Sequence, residues 1–289
     1  MIGQKRYEKW FFLLPALIIY LIVIVYPGIA SLYMSLYKWN GTMTEKTFVK
    51  LRNYINLFKH DRVFLIALKN NLIWIVLTII ISTGIALLLA LLLNRKFKGR
   101  GIFRSVFYFP YMLSGIVAGI IWVWMYDPQL GLINTFLELI GLENYAKPWL
   151  ATRNTSLYAV YISHMWKSIG APMILFLAGL QTIPRDIIEA ADIDGASSFK
   201  KFIHVTLPLL KETFFIVMAT QVIAALKIYD IIQAMTGGGP ADTTHTLATW
   251  MVKRTFMFAD YGSGTAIAWI MVFVMMIIII PYTRYMTKE

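Results

Sequence analysis

The sequence predicts an all-α integral membrane protein with six transmembrane helices, and three observations predict it. Of the 289 residues, 58% are hydrophobic and only 15% are charged, whereas globular domains carry about a quarter charged residues. The mean hydropathy is +0.65. Six apolar runs are long enough to cross a bilayer as helices. Strands are not expected, because an open strand would leave its backbone groups unpaired in lipid.

The six apolar runs follow one another along the chain. Each has about 20 residues or more, the length that crosses the hydrocarbon core as a helix. Prolines inside the runs are compatible with this, because neighbouring helices satisfy the freed backbone groups. An even number of crossings places both termini on one side of the membrane. The predicted spans are residues 10–37, 71–93, 105–126, 157–180, 213–235 and 261–283.

The start of the chain has features of a signal peptide, since Lys5, Arg6 and Lys9 precede an apolar stretch. However, no charged residue occurs from Trp10 through Tyr37, which is far longer than a signal-peptide core. We therefore expect a retained first span preceded by a short N-terminal segment, residues 1–9.

The loop between the second and third spans sets the orientation. Its residues 95–104, RKFKGRGIFR, include five Lys or Arg and no acid. Short basic loops favour the cytoplasmic side. We therefore expect this loop and both termini to be cytoplasmic.

Residues 38–69 are an exception to that charge rule, because they lie on the predicted outer side and yet contain seven basic residues. Their middle part, NYINLFKHDRVFLIAL, alternates charges with apolar residues such as Leu57, Phe58, Phe64 and Leu65. This pattern is typical of an amphipathic helix at a membrane surface. An interfacial helix is therefore predicted in this external loop.

Several classes of function are disfavoured by composition. The net charge of +12 comes mostly from short loops beside apolar runs, where anionic headgroups explain it better than nucleic acid does. Cysteine is absent, which excludes disulfides and thiol chemistry. The four histidines lie on different segments without metal-ligand spacing, and no span contains paired carboxylates. An intramembrane enzyme is therefore not expected.

A polar segment, residues 184–212, separates the fourth and fifth predicted spans. Pro184 and Glu189 suit the first turns of a helix, and Gly195 permits the left-handed conformation that ends one. Ser197 or Ser198 can cap a second short helix. An apolar stripe on the first helix suits a protein partner, packing on the chain's own neighbours, or the membrane surface.

The spacing within this polar segment resembles the EAA loop of ABC importer permeases. The matching positions are Glu189, Ala190, Ala191, Gly195, Val205, Leu207 and Pro208. Val205 is the one departure, because the family often has isoleucine there. Residues 107–134, 170–184 and 229–240 are similar to the carbohydrate-specific, maltose-type branch. Four motifs in the right order extend the resemblance over most of the chain.

The resemblance implies a permease core over residues 70–289, in which the polar segment forms cytoplasmic coupling helices between spans four and five. We call residues 184–212 the coupling segment. In the family, its short helix docks in a cleft on a cytoplasmic ATPase subunit. This ATPase-coupling role carries over to Glu189, Ala190, Ala191, Asp194, Gly195, Ala196, Ser197 and Pro208.

The resemblance also implies partners. These are two cytoplasmic ABC ATPase subunits, a second homologous permease subunit in a heterodimer, an extracytoplasmic solute-binding protein and a bacterial-type cell membrane. The chain has no P-loop pattern, and its Gly237–Pro240 stretch lacks the required lysine. We therefore expect it to bind no cofactor, with ATP and magnesium held by the ATPase subunits, and not to be an enzyme.

Polar residues in the fifth predicted span are candidates for the solute pathway. Lys227 and Asp230 are three residues apart, so on one helix they would share a face. They either pair with each other or line the pathway together with Gln221 and Tyr229. Intramembrane ionisable residues are functional candidates because they are costly to bury.

The fourth span adds Trp166, Lys167, Gly170 and Met173, because the resembling family lines its sugar cavity partly from this helix and span five. Gly170 would let a ligand or a helix approach closely. Trp166 could instead belong to an interfacial aromatic belt and Lys167 could snorkel. Trp122 is expected in that belt, at the outer end of span three.

Together, these features predict the permease subunit of a binding-protein-dependent ABC importer for a sugar or oligosaccharide. A polyol, a glycerol phosphate or another non-sugar solute is the alternative within the family. A secondary transporter is the alternative outside it, but would leave the coupling segment without a role.

Overall fold

The computed structural model of the chain describes residues 8–42 and 46–286, so residues 1–7 of the predicted N-terminal segment lie outside the described residues. The described part is mostly helical and divides into two compact units. The first unit is Met1–Asp61 with Met251–Val272, and the second is Arg62–Trp250 with Phe273–Glu289.

Two short strands form one antiparallel hairpin, β1 (Tyr37–Trp39) and β2 (Lys46–Phe48), with Tyr37 opposite Phe48. All other regular elements in the described residues are helical. The α-helices are α1 (Glu8–Tyr20), α2 (Tyr26–Ser35), α3 (Arg52–His60), α4 (Arg62–Leu77), α5 (Thr83–Asn94), α6 (Arg100–Tyr108), α7 (Gly115–Met125), α8 (Leu132–Leu139), α9 (Ser156–Ser168), α10 (Gly170–Thr182), α11 (Arg185–Ile193), α12 (Ser198–Lys201), α13 (Leu207–Leu209), α14 (Lys211–Leu226), α15 (Asp230–Met235), α16 (Leu247–Val252) and α17 (Tyr261–Met286).

By length and composition, three helices of the described chain can cross a membrane, or up to six if each bent pair is one span. The three are Leu13–Ser35, Arg62–Asn94 and Tyr261–Pro281. The first two are continuous because single π-helical turns, Leu21–Val25 and Thr78–Ser82, join α1 to α2 and α4 to α5. The bent pairs turn by 101°, 72° and 70°.

The second span begins earlier than predicted. Its helix runs for 33 residues from Arg62, so residues 62–70 belong to it and not to a surface helix. The predicted interfacial helix is therefore limited to α3. It ends at Asp61, where the backbone becomes extended and the carboxylate accepts hydrogen bonds of 2.6 and 3.2 Å from Arg254. The break between α3 and α4 thus coincides with an ion pair between a buried Asp61 and a partly buried Arg254.

The third span is not the continuous helix that was predicted. The chain turns by 101° between the helix Arg100–Met112 and α7. Pro110 lies in a 3-10 turn at the end of the first helix, and Leu113 is extended. Ser114 then caps α7, since its Oγ accepts a hydrogen bond of 3.2 Å from the backbone N–H of Val117.

The fifth span is also interrupted, because α14 ends at Leu226 and α15 begins only at Asp230. Side chains from distant segments donate hydrogen bonds to the backbone carbonyl groups at this break. The Asn71 amide donates to the Ala225 carbonyl at 2.9 Å, and the Thr246 hydroxyl donates to the Ile228 carbonyl at 2.8 Å. These bonds replace the helical ones that a continuous span would have made.

The fourth predicted span consists of α9 and α10, which meet at Ile169. In the second unit, one buried cluster surrounds Trp74, Tyr161 and Leu226. Another surrounds Phe176 and Leu210, and fixes α10 against α5 and α14. The interrupted helices are thus held by two compact cores.

The Asn71 bridge gives a first prediction. Besides donating to Ala225, its Oδ1 accepts the Leu247 N–H at 2.7 Å. Asn71→Leu would leave both backbone groups unpaired, at roughly 1–3 kcal/mol for each. We expect a lower thermal unfolding midpoint in detergent. Asn56→Leu, at an exposed position, is the control, and equal midpoints for the two variants would contradict the assignment.

Candidate functional site

The coupling segment forms two short helices joined by a bend. Pro184 has extended backbone and precedes α11, which ends at Ile193. Gly195 has a φ of +71° and makes the left-handed turn. The Ser197 hydroxyl then caps α12, accepting the Lys200 N–H at 3.4 Å. These local features agree with the helix boundaries expected from the sequence.

This segment presents apolar side chains to its surroundings. None of the residues in α11 is buried, Ile193 is 87% exposed, and Phe199 is also exposed. An ion pair between Asp192 and Lys201 links the two short helices. The two short helices therefore form an exposed element, held together by an ion pair, to which another protein can bind.

All eight predicted coupling residues lie on this one segment, at exposed or half-buried positions. The segment is fastened at its far end, because Leu210 is fully buried against the cluster around Phe176. Leu210 therefore anchors the far end of the segment against α10 and α14. A cleft of about 710 Å³ beside α11 is lined by Lys96 and Arg185 among others.

A second candidate site surrounds the breaks in the third and fifth spans. Asp230 starts α15, and its Oδ1 accepts the Ile231 N–H at 2.9 Å. Its other carboxylate oxygen lies against Gly115, the first residue of α7, where an added Cβ would come within 1.7 Å of it. The N-termini of two helices therefore adjoin one carboxylate, an arrangement that stabilises negative charge.

The expectation that Lys227 and Asp230 lie on one helix is wrong. Lys227 directly follows α14 and Asp230 begins α15, while Tyr229 between them has a non-helical backbone. The two residues therefore do not share a helical face. Lys227 is exposed and Tyr229 is half-buried.

Trp166 and Lys167 lie on a partly open face of α9. Trp166 is 37% exposed, and its ring meets that of Trp122 edge-on with centroids 5.8 Å apart. The Lys167 ammonium lies 5.6 Å from the ring centroid of Tyr111, just before the bend in the third span. The structure thus brings aromatic rings and a cation together there.

The remaining pathway candidates, Gly170, Met173 and Gln221, are buried within the protein. Gly170 is buried, and a Cβ there would lie 2.6 Å from the Phe107 carbonyl oxygen, so the close neighbour is a helix. Met173 is 0% exposed and belongs to the core. Gln221 is buried, and its amide nitrogen has no hydrogen-bond partner within the described residues.

Sequence reasoning missed Tyr111, Gly115 and the contact that Trp122 makes with Trp166. The signal for the bend was present, since Pro110 followed by Ser114 combines a helix breaker with a helix cap. Sequence reasoning also missed helix α8, whose start follows a turn at Asp127. Hydrogen bonds from the backbone N–H groups of Leu130 and Gln129 hold the pKa of that carboxyl below its ordinary value.

The described residues contain no cluster of three or more His, Cys, Asp or Glu side chains that could hold a metal ion. In the second unit, a braced coupling segment occurs together with polar breaks in the third and fifth spans. That combination suits movement of a solute past helix ends.

Comparison with known proteins decides the family. Residues 82–287 match the family described as "Binding-protein-dependent transport system inner membrane component". The chain belongs to this family. The resemblance seen in the sequence motifs is thereby confirmed, as are the permease function and the inner-membrane location.

Relatives with named functions cover nearly the whole chain. A probable ABC transporter permease, YurN of Bacillus subtilis, is 34% identical over 270 residues, covering 93% of this chain and 92% of its own. The trehalose/maltose transport system permease MalF of Thermococcus litoralis is 35% identical over 265 residues, covering 92% and 88%.

The fold is likewise that of a solved transporter. The crystal structure of a bacterial ABC transporter involved in import of the acidic polysaccharide alginate has a TM-score of 0.84 at 23% identity, covering 98% of this chain and 96% of its own. This likeness establishes the ABC permease fold. The roles of individual residues, the six spans and the side of the termini stay predictions.

Gly170 gives the second prediction. Gly170→Ala would push a methyl group into the backbone at Phe107, destabilising the protein by about 1–3 kcal/mol. Gly84→Ala is the control, because nothing lies within 4 Å of its added Cβ, and alanine favours helix. Thermal unfolding in detergent distinguishes them, and a neutral Gly170→Ala would show that α6 and α10 are not in close contact.

Proposed function

We propose that this permease forms half of the translocation pathway for a sugar or oligosaccharide. The observation that carries the proposal is the partly exposed Trp166, edge-on to Trp122 and beside Lys167 and Tyr111. Aromatic faces suit the apolar faces of a sugar ring, and the polar tips suit its hydroxyl groups. The trehalose/maltose relative supports this class of solute.

A glycerol phosphate is the second candidate. Relatives named as sn-glycerol-3-phosphate permeases, from Agrobacterium fabrum and Brucella suis, are each 33% identical to this chain. Lys167 and the exposed Lys227 would favour an anionic solute through charge complementarity. A panel of neutral and anionic solutes distinguishes the two classes.

In this proposal the chain crosses the membrane six times with both termini in the cytoplasm. Span three is then the bent pair of α6 and α7, span four is α9 with α10, and span five is α14 with α15. Residues 70–289 form the permease core. The basic loop 95–104 and the coupling segment face the cytoplasm, as short basic loops favour. The external side receives the solute from a solute-binding protein.

The coupling segment docks on a cytoplasmic ATPase subunit. Two such subunits hold ATP and magnesium and perform the hydrolysis, so this chain carries no catalytic residue. A second, distinct permease subunit completes the pathway. ATP binding draws the two coupling segments together, and the bundle changes from inward-facing to outward-facing because the ATPases bind one state better than the other.

Gly195 tests the coupling role. Gly195→Asp would place a charge and a strained left-handed residue at the bend between α11 and α12. We expect loss of solute-stimulated ATP hydrolysis by the reconstituted importer, with normal membrane insertion. Gly99→Asp is the matched control, because Gly99 also has positive φ, and both glycines have nothing within 4 Å of an added Cβ. Undiminished stimulation in Gly195→Asp would refute docking through this bend.

Trp166 tests the solute assignment. With saturating loaded binding protein, Trp166→Ala should lower the uptake rate in proteoliposomes by up to about tenfold, since one aromatic contact contributes up to about 1.5 kcal/mol. The panel contains maltose, trehalose and glycerol 3-phosphate. Trp124→Ala is the control, because Trp124 is highly exposed on α7. Equal rates for the two variants with every solute would remove Trp166 from the pathway.

A further inference from the structure

The segment between α7 and α9 folds around one buried amide. Asn134, on α8, is 3% exposed. Its Nδ2 donates to the carbonyls of Pro128 and Lys147, at 3.1 and 3.2 Å, and its Oδ1 accepts from the Trp149 indole at 2.8 Å. These hydrogen bonds hold α8 and the residues around it in one conformation between the end of α7 and the start of α9.

The opposite face of α8 is apolar and exposed. Leu132, Phe136 and Leu139 project from it, with Leu139 80% exposed. In a protein of an inner-membrane family, such a face is suited to contact with lipid, as interfacial helices are. A cavity of about 430 Å³ lies along this helix and is lined almost entirely by its apolar side chains.

A second cavity of about 260 Å³ adjoins the first, because Ile133 lines both. Its walls include four aromatic rings, Trp122, Tyr126, Trp149 and Tyr158. Ring centroids are 5.4 Å apart for Trp122 and Tyr126 and 6.3 Å apart for Tyr126 and Trp149. We call this second cavity the aromatic pocket.

Three polar groups around the aromatic pocket are already occupied by hydrogen bonds within the chain. The Tyr126 hydroxyl donates to the Ala159 carbonyl at 3.2 Å, and the Thr155 hydroxyl donates to the Trp149 carbonyl at 2.9 Å. The Trp149 indole N–H is bound by Asn134. The accessible lining of the pocket is also almost entirely apolar. A sugar would replace few of its water hydrogen bonds here, so the pocket suits hydrocarbon.

A cation lies next to Trp149, one of the residues that line the pocket. The Lys147 ammonium is 4.7 Å from the ring centroid of Trp149, and the side chain is half-buried. Lys147 and Trp149 lie in the loop before α9, and lysine with tryptophan is typical of the depth of phospholipid headgroups. The ammonium group complements the negative charge of a phosphate.

We propose that the aromatic pocket binds one phospholipid from the bilayer, with an acyl chain between the rings and its phosphate at Lys147. The inference does not depend on which solute the importer carries. Trp122 forms one wall of the pocket and also contacts the ring of Trp166. The bound lipid therefore supports the ring that borders the candidate solute pathway.

Native mass spectrometry of the assembled importer tests the site, using palmitoyl-oleoyl phosphatidylglycerol and the diacylglycerol with the same chains. We expect one retained phosphatidylglycerol per copy of this chain and no retained diacylglycerol. Lys147→Gln should weaken retention about fivefold, as one interfacial lysine contributes about 1 kcal/mol. Lys147→Arg should restore it. Unchanged retention in Lys147→Gln would overturn the headgroup assignment.

Filling the pocket tests the acyl-chain assignment. Ile162 lines the aromatic pocket, and Ile162→Trp should abolish retention. Ile277→Trp is the matched control, because Ile277 is exposed on α17 and does not line that pocket. Retention of lipid by a folded Ile162→Trp protein would overturn the proposal.

A photo-crosslinking residue at Tyr158 decides the occupant even when Ile162→Trp does not fold. In the assembled importer in a phosphatidylglycerol bilayer, we expect the crosslink to form with lipid. A crosslink to another protein subunit, or to the transported solute, would overturn the proposal.

Discussion

A backbone N–H or C=O group inside a bilayer needs a hydrogen-bond partner, since lipid supplies none and each unmet group costs several kcal/mol. Every break in a membrane helix exposes such groups. Here Asn71 and Thr246 donate to carbonyls at the end of α14, and Ser114 accepts at the start of α7. The bent spans, and the polar surfaces that they create, depend on these few side chains.

The breaks also explain how so hydrophobic a chain obtains polarity within its spans. Because α7 and α15 begin within the apolar part of the chain, their N-terminal ends supply positive electrostatic potential without any basic residue. Asp230 lies next to both ends. In a continuous helix, the backbone N–H groups at these positions would be hydrogen-bonded to carbonyls of the preceding turn.

The sequence predicted structure that depends on neighbouring residues, but not structure that depends on contacts between distant residues. The helices of the coupling segment followed from Pro184, Gly195 and Ser197, because caps and turns act within a few residues. The break after Leu226 could not be foreseen, since the donor Asn71 lies far away in sequence. The burial of Met173 was likewise decided by tertiary packing, which periodicity alone does not show.

The exposed apolar residues of the coupling segment have a consequence for the cell. Ile193 and Phe199 are exposed in the described part of the chain, and such surfaces favour aggregation when no partner is bound. Chaperones and proteases would recognise this exposed apolar surface on a copy of the chain that lacks its partner. If the coupling segment docks on an ATPase subunit, as proposed above, the cell must make the two proteins in balanced amounts.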